Sequence, residues 1–168
     1  MTQARDSLPA WLRDAHAMEG QAITLLDTQI KRLESYPEAL PRLQQHLEET
    51  KQQRSQVEDC LQGLGEDTSS LKDAAMKIGA KLQGMMHMTS SDEVLKHALA
   101  SNAFEHFQAG SYCSLAAAAK DVGEHEIART RENITNQELA MADWVWQQLP
   151  PLTHKYLHRA EADMQAKR

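Results

Sequence analysis

Four stretches of this chain repeat apolar residues every three or four positions, a period that commits most of its length to packed helices. The first aligns Leu12, Ala15, Ala22, Leu26, Ile30 and Leu33, and the second Leu40, Leu43, Leu47, Thr50, Val57, Leu61 and Leu64. A third aligns Ala98, Asn102, Ala109, Tyr112 and Ala116 on an alanine-rich background, and a fourth aligns Ile127, Arg131, Ile134, Met141, Val145 and Leu149. At about 100° per residue each set falls on one side of a helix. The positions between are rich in Ala, Leu, Glu, Gln and Lys, all good helix formers.

Punctuation sets the boundaries. Ser7 and Pro9 mark a start, Ser35-Tyr36-Pro37 a break, Gly63 and Gly65 a stop, Ser90-Ser91-Asp92-Glu93 a capping box, and Val122-Gly123 another stop. The expected helices cover about 8–34, 38–63, 91–122 and 124–148, with a shorter connecting helix over about 69–86. Pro150-Pro151 is expected to end the fourth, leaving a short C-terminal helix within 152–168. A chain of 168 residues suits one domain, 1–168, with a core large enough to need no disulfide. The expected fold is all-α: an antiparallel four-helix bundle with one long crossover.

Composition excludes several functions. The net charge is −6 and the Lys and Arg residues are scattered singly, which argues against nucleic acid as a partner. No apolar run approaches the roughly 18 residues of a membrane span, and no basic then apolar leader opens the chain, so a cytoplasmic protein is expected. Cys60 and Cys113 form no CxxC and read as small buried thiols in a reducing compartment. Met85, Met86 and Met88 read as adaptable core filling, and Trp11, Trp144 and Trp146 as packing or dimer-contact residues.

The stripes contain misplaced acids. Glu19, Glu105 and Glu138 lie near the centres of the first, third and fourth stripes, and His46 and Glu49 lie at the edge of the second, where an i,i+3 pair can aim at one point. A carboxylate in a dry core must stay protonated, pair with a cation or bind a metal. Any one such glutamate has an ordinary explanation: an ion pair, a neutral hydrogen-bonded acid or a mis-phased helix. Four helices that each bring one near mid-length, with no lysine or arginine expected at those levels, point instead to a shared cation site. The spacings, 30 residues from Glu19 to Glu49 and 33 from Glu105 to Glu138, suggest two related hairpins. Inward carboxylates and histidine on facing helices are how carboxylate-bridged di-iron and di-manganese sites are built.

Ala17-Met18-Glu19, the block from His46 to Thr50, Phe104-Glu105-His106-Phe107-Gln108-Ala109-Gly110-Ser111-Tyr112 and Asn136-Gln137-Glu138-Leu139-Ala140-Met141-Ala142-Asp143-Trp144 carry a resemblance. Over nearly its whole length the chain resembles the YciE/YciF-type ferritin-like bacterial stress proteins, the YciE branch in particular. The resemblance implies a ferritin-like bundle, a homodimer, and a dinuclear Fe or Mn site with Glu19, His46, Glu49, Glu105 and Glu138 as ligands, Glu49 and Glu138 being the bridging candidates. Gln108 and Gln137 stand where relatives carry acids, which weakens charge compensation for a metal pair, and Tyr112 lies within reach as a supporting residue. The expected function is stress protection with peroxide or O₂ as a small oxidant. The alternative is a non-enzymatic helical stress or interaction protein with a degenerate metal site.

Overall fold

A computed structural model of the chain describes residues 2–67, 71, 91–162 and 164–166. Among them are four long helices: α1 (Thr2–Arg32), α2 (Leu40–Gly63), α3 (Glu93–Asp121) and α4 (His125–Glu161). A 3-10 turn at Pro37–Ala39 leads into α2. The expected connecting helix over 69–86 and its methionines lie outside the described residues, apart from buried Leu71.

Side-chain partners fix the directions. Arg13 meets Glu66 and His16 meets Arg54, so α1 and α2 are antiparallel; Lys120 meets Glu132 and Asn102 meets Ala142, so α3 and α4 are too. Arg32 pairs with Glu93 while Glu19 meets Tyr112, which sets α1 antiparallel to α3. Gln53 meets Gln137 and Cys60 meets Arg131, which does the same for α2 and α4. Helices α2 and α3 therefore run parallel across a diagonal, so α3 begins at the opposite end of the bundle from the one where α2 stops. One apolar cluster, from Leu8 and Leu12 to Leu115 and Ile134, fills one half of the bundle. A second, Leu26, Leu43, Met141 and Val145, fills the other.

Both glycine stops work by the same device. Gly65 and Gly123 adopt φ of 77° and 85°, where an L side chain is strained. That turn lets Glu66 N–H reach Leu61 O and Gly65 N–H reach Gln62 O, and lets Glu124 N–H reach Ala119 O and Gly123 N–H reach Lys120 O. These paired bonds satisfy the last carbonyls of α2 and α3.

Several boundaries differ from expectation. Helix α1 starts at Thr2 and runs through Pro9. Helix α3 starts at Glu93 with Asp92 as its cap, and Glu93 is buried beneath Arg32; the Ser90 end of the expected capping box lies outside the described residues. The larger correction concerns α4, which continues through Pro150 and Pro151 to Glu161 without a separate C-terminal helix. The two prolines are exposed, so water can reach the carbonyls of Trp146 and Gln147 that lose their N–H donors. The turns beyond are held onto the residues after α1: Lys155 binds Glu38 at 2.7 Å and lies 4.9 Å from the Tyr36 ring centre, and Arg159 binds Ser35 at 3.1 Å. Buried Tyr36 in turn donates to Ala166 O at 2.7 Å. Cys113 is also not where burial was expected; it is exposed, one residue and so about 100° round α3 from inward Tyr112, and Cys60 is half-buried.

Candidate metal centre

At mid-bundle the stripes converge on His46, a fully buried side chain of α2. Its Nε2 lies 3.1 Å from Glu105 Oε2 on α3 and 3.9 Å from Glu138 Oε2 on α4. One ligand atom from each of these three buried residues falls within 4.8 Å of the others, close enough for one cation to touch all three. Asn102 holds α3 against α4 just below this level, donating to Ala142 O at 2.8 Å.

Glu19 approaches from α1 and is fully buried. Its Oε1 accepts a short hydrogen bond from the Tyr112 hydroxyl and a longer one, at 3.3 Å, from Gln108 Nε2. Glu49 stands on the other side of the imidazole. Its Oε2 faces His46 Nδ1 at 3.1 Å and accepts from Arg42 at 3.1 Å, while its Oε1 accepts from Gln45 at 2.7 Å. The structure thus brings Glu19, His46, Glu105, Glu138, Gln108 and Tyr112 into one buried group and places Glu49 behind the histidine, half-exposed, where it orients the ring. A carboxylate on the second nitrogen is the usual support of a metal-binding histidine. Gln137 is exposed and receives a 3.0 Å bond from buried Gln53.

The electrostatics are those of acids crowded without a cation. Burial, then the neighbouring Glu105 and Glu19, push Glu138 up to about 10. Burial raises Glu19 to about 7, with Tyr112 pulling it down and Glu105 pushing it up. Burial alone would lower His46, but its bonds to Glu105 and Glu49 outweigh that and leave it raised. An imidazolium donating to both carboxylates therefore compensates part of the charge when no metal is bound, and neutral Glu138 avoids adding more. Glu49 is held low despite its burial because His46 and Arg42 face it.

Among the described residues, Glu19 Oε2 and Gln108 Oε1 are buried and have no hydrogen-bond donor, while the buried carboxyl of Glu138 has only Glu105 and Gln53 close enough to share a proton with it. Orphaned buried acceptors are rare in native cores, and a set of them around one imidazole is a set of electron pairs without an acid to meet them. A divalent cation supplies that acid, so the residues present fit a metal.

Residues 3–158 match the family described as a domain of unknown function, DUF892. The chain belongs to the DUF892 family. It is also similar to a protein of Xanthomonas campestris pv. campestris whose crystal structure is known: 35% identity, a TM-score of 0.79, and coverage of 94% of this chain and 99% of that one. The DUF892 match runs from α1 through nearly all of α4, so every residue of the buried group belongs to it. No described helix is long and apolar enough to cross a membrane.

Three further buried polar residues of this DUF892 chain lacked a legible signal. Arg131 sat in the fourth stripe, but its partner was hidden: it is a fully buried cation 5.6 Å from the Tyr112 ring centre, one layer beyond Glu19, with Nη2 3.6 Å from Cys60 Sγ. A cation is thus present near the acids, against expectation, but it is separated from them by Tyr112. Gln53 is buried between α2 and α4 although glutamine is a common surface residue of helices. His16 is buried and accepts from Arg54 at 3.2 Å, which keeps its Nε2 unprotonated.

Proposed function

We propose that this DUF892 protein is a ferritin-like metalloprotein of bacterial stress protection, with iron or manganese held as a dinuclear centre at mid-bundle. The observation that carries the reading is the buried trio His46, Glu105 and Glu138, with one ligand atom from each within 4.8 Å of the others, beside the donorless oxygens of Glu19 and Gln108. His46, Glu105 and Glu138 would hold metal, with Glu19 and Gln108 beside them as the further residues a second ion would need. Iron or manganese there supplies one-electron redox chemistry toward peroxide or O₂. The chain's own part is to bind, orient and exclude water. Glu138 and His46 must give up protons for the ion to enter, so uptake releases acid. Tyr112 fixes Glu19 Oε1 and leaves Oε2 without a protein donor. Glu49, locked by Arg42 and Gln45, fixes the imidazole plane.

Metal analysis of protein purified without chelator tests this. Iron or manganese at one to two ions per chain is expected, falling to trace in Glu105→Gln and in His46→Ala; trace metal in the unaltered protein sinks the reading. A second reading is a non-enzymatic scaffold with a degenerate site. Its support is that Gln108 offers an amide in place of an acid and that Glu49 is already tied to Arg42. Metal-dependent peroxide consumption separates the two. Both readings include a cytoplasmic homodimer.

A further inference from the structure

One layer beyond the metal-binding group, the core holds a cation that the proposed centre does not use. Arg131 of α4 is fully buried, and among the described residues it has no carboxylate partner. Its Nε and Nη1 are buried and meet no acceptor. Taking a guanidinium out of water is costly, and a buried one is ordinarily paired, so its missing anion needs an account. The Tyr112 ring, centred 5.6 Å away, is a partial substitute. The polar atom that the guanidinium does reach is Cys60 Sγ, 3.6 Å from Nη2.

Of these two neighbours, Tyr112 spends its hydroxyl on Glu19 and offers Arg131 only a ring face. Cys60 is a free thiol in the last turn of α2, half-buried, at the border between solvent and the buried cation. Burial pushes this thiol up against the pull of Arg131, and Asp59 and Glu126 add to the rise, so the resting group is neutral and the cation stays uncompensated. Oxidation reverses that. A sulfinic acid is ionised at neutral pH and presents two acceptor oxygens where the thiol has one weak acceptor. A guanidinium, with its fork of parallel donors, matches a two-oxygen anion of this shape.

We propose that Cys60 is a site of oxidation by hydrogen peroxide and that Arg131 is the group that receives the resulting sulfinate. In the first step a peroxide oxygen bonds to Sγ as the O–O bond breaks. The sulfur loses two electrons, and the departing hydroxide takes the thiol proton and leaves as water. A second peroxide repeats the step on the sulfenic acid, and the sulfinic acid so formed releases its proton to solvent. The dipole of α2 opposes an anion in its last turn only weakly, whereas a charge-assisted bond to a buried guanidinium is among the strong ones. The site shares no residue with the metal-binding group, so it does not depend on that group holding metal.

The test exposes the full-length protein, as purified and after metal removal, to millimolar hydrogen peroxide and locates the added oxygen by peptide mass spectrometry. A gain of two oxygen atoms on Cys60 is expected in both preparations, falling at least fivefold in Arg131→Met. Cys113 is the control: it is exposed, its neighbour Lys120 is already paired with Glu132, and its oxidation should be the same in that variant. A second comparison holds even if Arg131→Met does not fold. Cys60→Asp carries a carboxylate close in shape to cysteine sulfinate, and Cys60→Asn the same shape without charge. Near neutral pH the aspartate variant should have the higher urea midpoint, whereas a carboxylate buried there without a cation would give the reverse order. Cys113 oxidised while Cys60 stays a thiol, Cys60 oxidation undiminished in folded Arg131→Met, or a Cys60→Asp midpoint at or below that of Cys60→Asn overturns the assignment. The metal-free preparation is treated by itself, so failure of the metal reading is distinguishable from failure here.

Discussion

Glu138 and Glu19 make the metal-free protein sensitive to alkali. A carboxyl whose pKa is raised on folding keeps a proton that the unfolded chain has already released, so stability falls as pH rises above the unfolded value. For Glu19 the loss runs from about 4.5 to about 7, and for Glu138 it continues to about 10. His46, also raised, adds the same sign: its contribution is full below about 6.5 and disappears as pH passes its folded value. Each proton at stake weighs up to about 1.4 kcal/mol per pH unit. Urea midpoints of metal-free protein should therefore fall between pH 5 and pH 8, and Glu138→Gln, which mimics the neutral acid, should flatten that fall and abolish metal uptake. A midpoint that rises with pH contradicts this picture of the core. Tyr112→Phe removes the hydroxyl bound to Glu19 and leaves a buried acceptor bare, so metal-free protein should lose about 1–3 kcal/mol in the same measurement. No change in midpoint would mean that Glu19 finds another donor.

At the scale of elements, the four helices were legible because apolar period and glycine punctuation agree. Leu61, Gly65, Ala119 and Gly123 ended up in the bonds such stops predict. The buried acids were legible for a related reason: a charge at the centre of an apolar stripe, as at Glu19, Glu105 and Glu138, conflicts with the pattern around it. Glu49 was harder. Its angular position puts it at a boundary, and whether it turns inward depends on Arg42 and Gln45, neighbours whose rotamers no period encodes. The prolines of α4 misled for a physical reason. Pro150 and Pro151 remove two helical hydrogen bonds, but both face water, and the turns after them gain Glu38, Tyr36 and Ser35 from another part of the chain. That long-range compensation predicts that truncation after Pro151 uncovers buried Tyr36 and costs at least about 2 kcal/mol, several degrees in Tm for a chain this size. Thermal melts that superimpose with and without residues 152–168 would show that the extension is merely attached.

Across the whole molecule, the outer side of α3 is unusual for a surface. Between Lys96 and Lys120 its only acid or base besides histidine is buried Glu105, while Leu99 and Phe107 are 56% and 61% exposed. Such an uncharged face suits a second copy of the chain, so sedimentation should give a dimer, and Phe107→Lys a monomer. A monomeric unaltered protein would contradict that proposal without touching the core. The core claim is that the buried oxygens around His46 await a cation. Anomalous diffraction from crystals grown with iron and with manganese, recorded on both sides of each metal's edge, tests it most directly. The account predicts a peak bounded by His46 Nε2, Glu105 and Glu138, with a second toward Glu19. A core without anomalous density in either crystal, with His46 still bonded to Glu105, would contradict it.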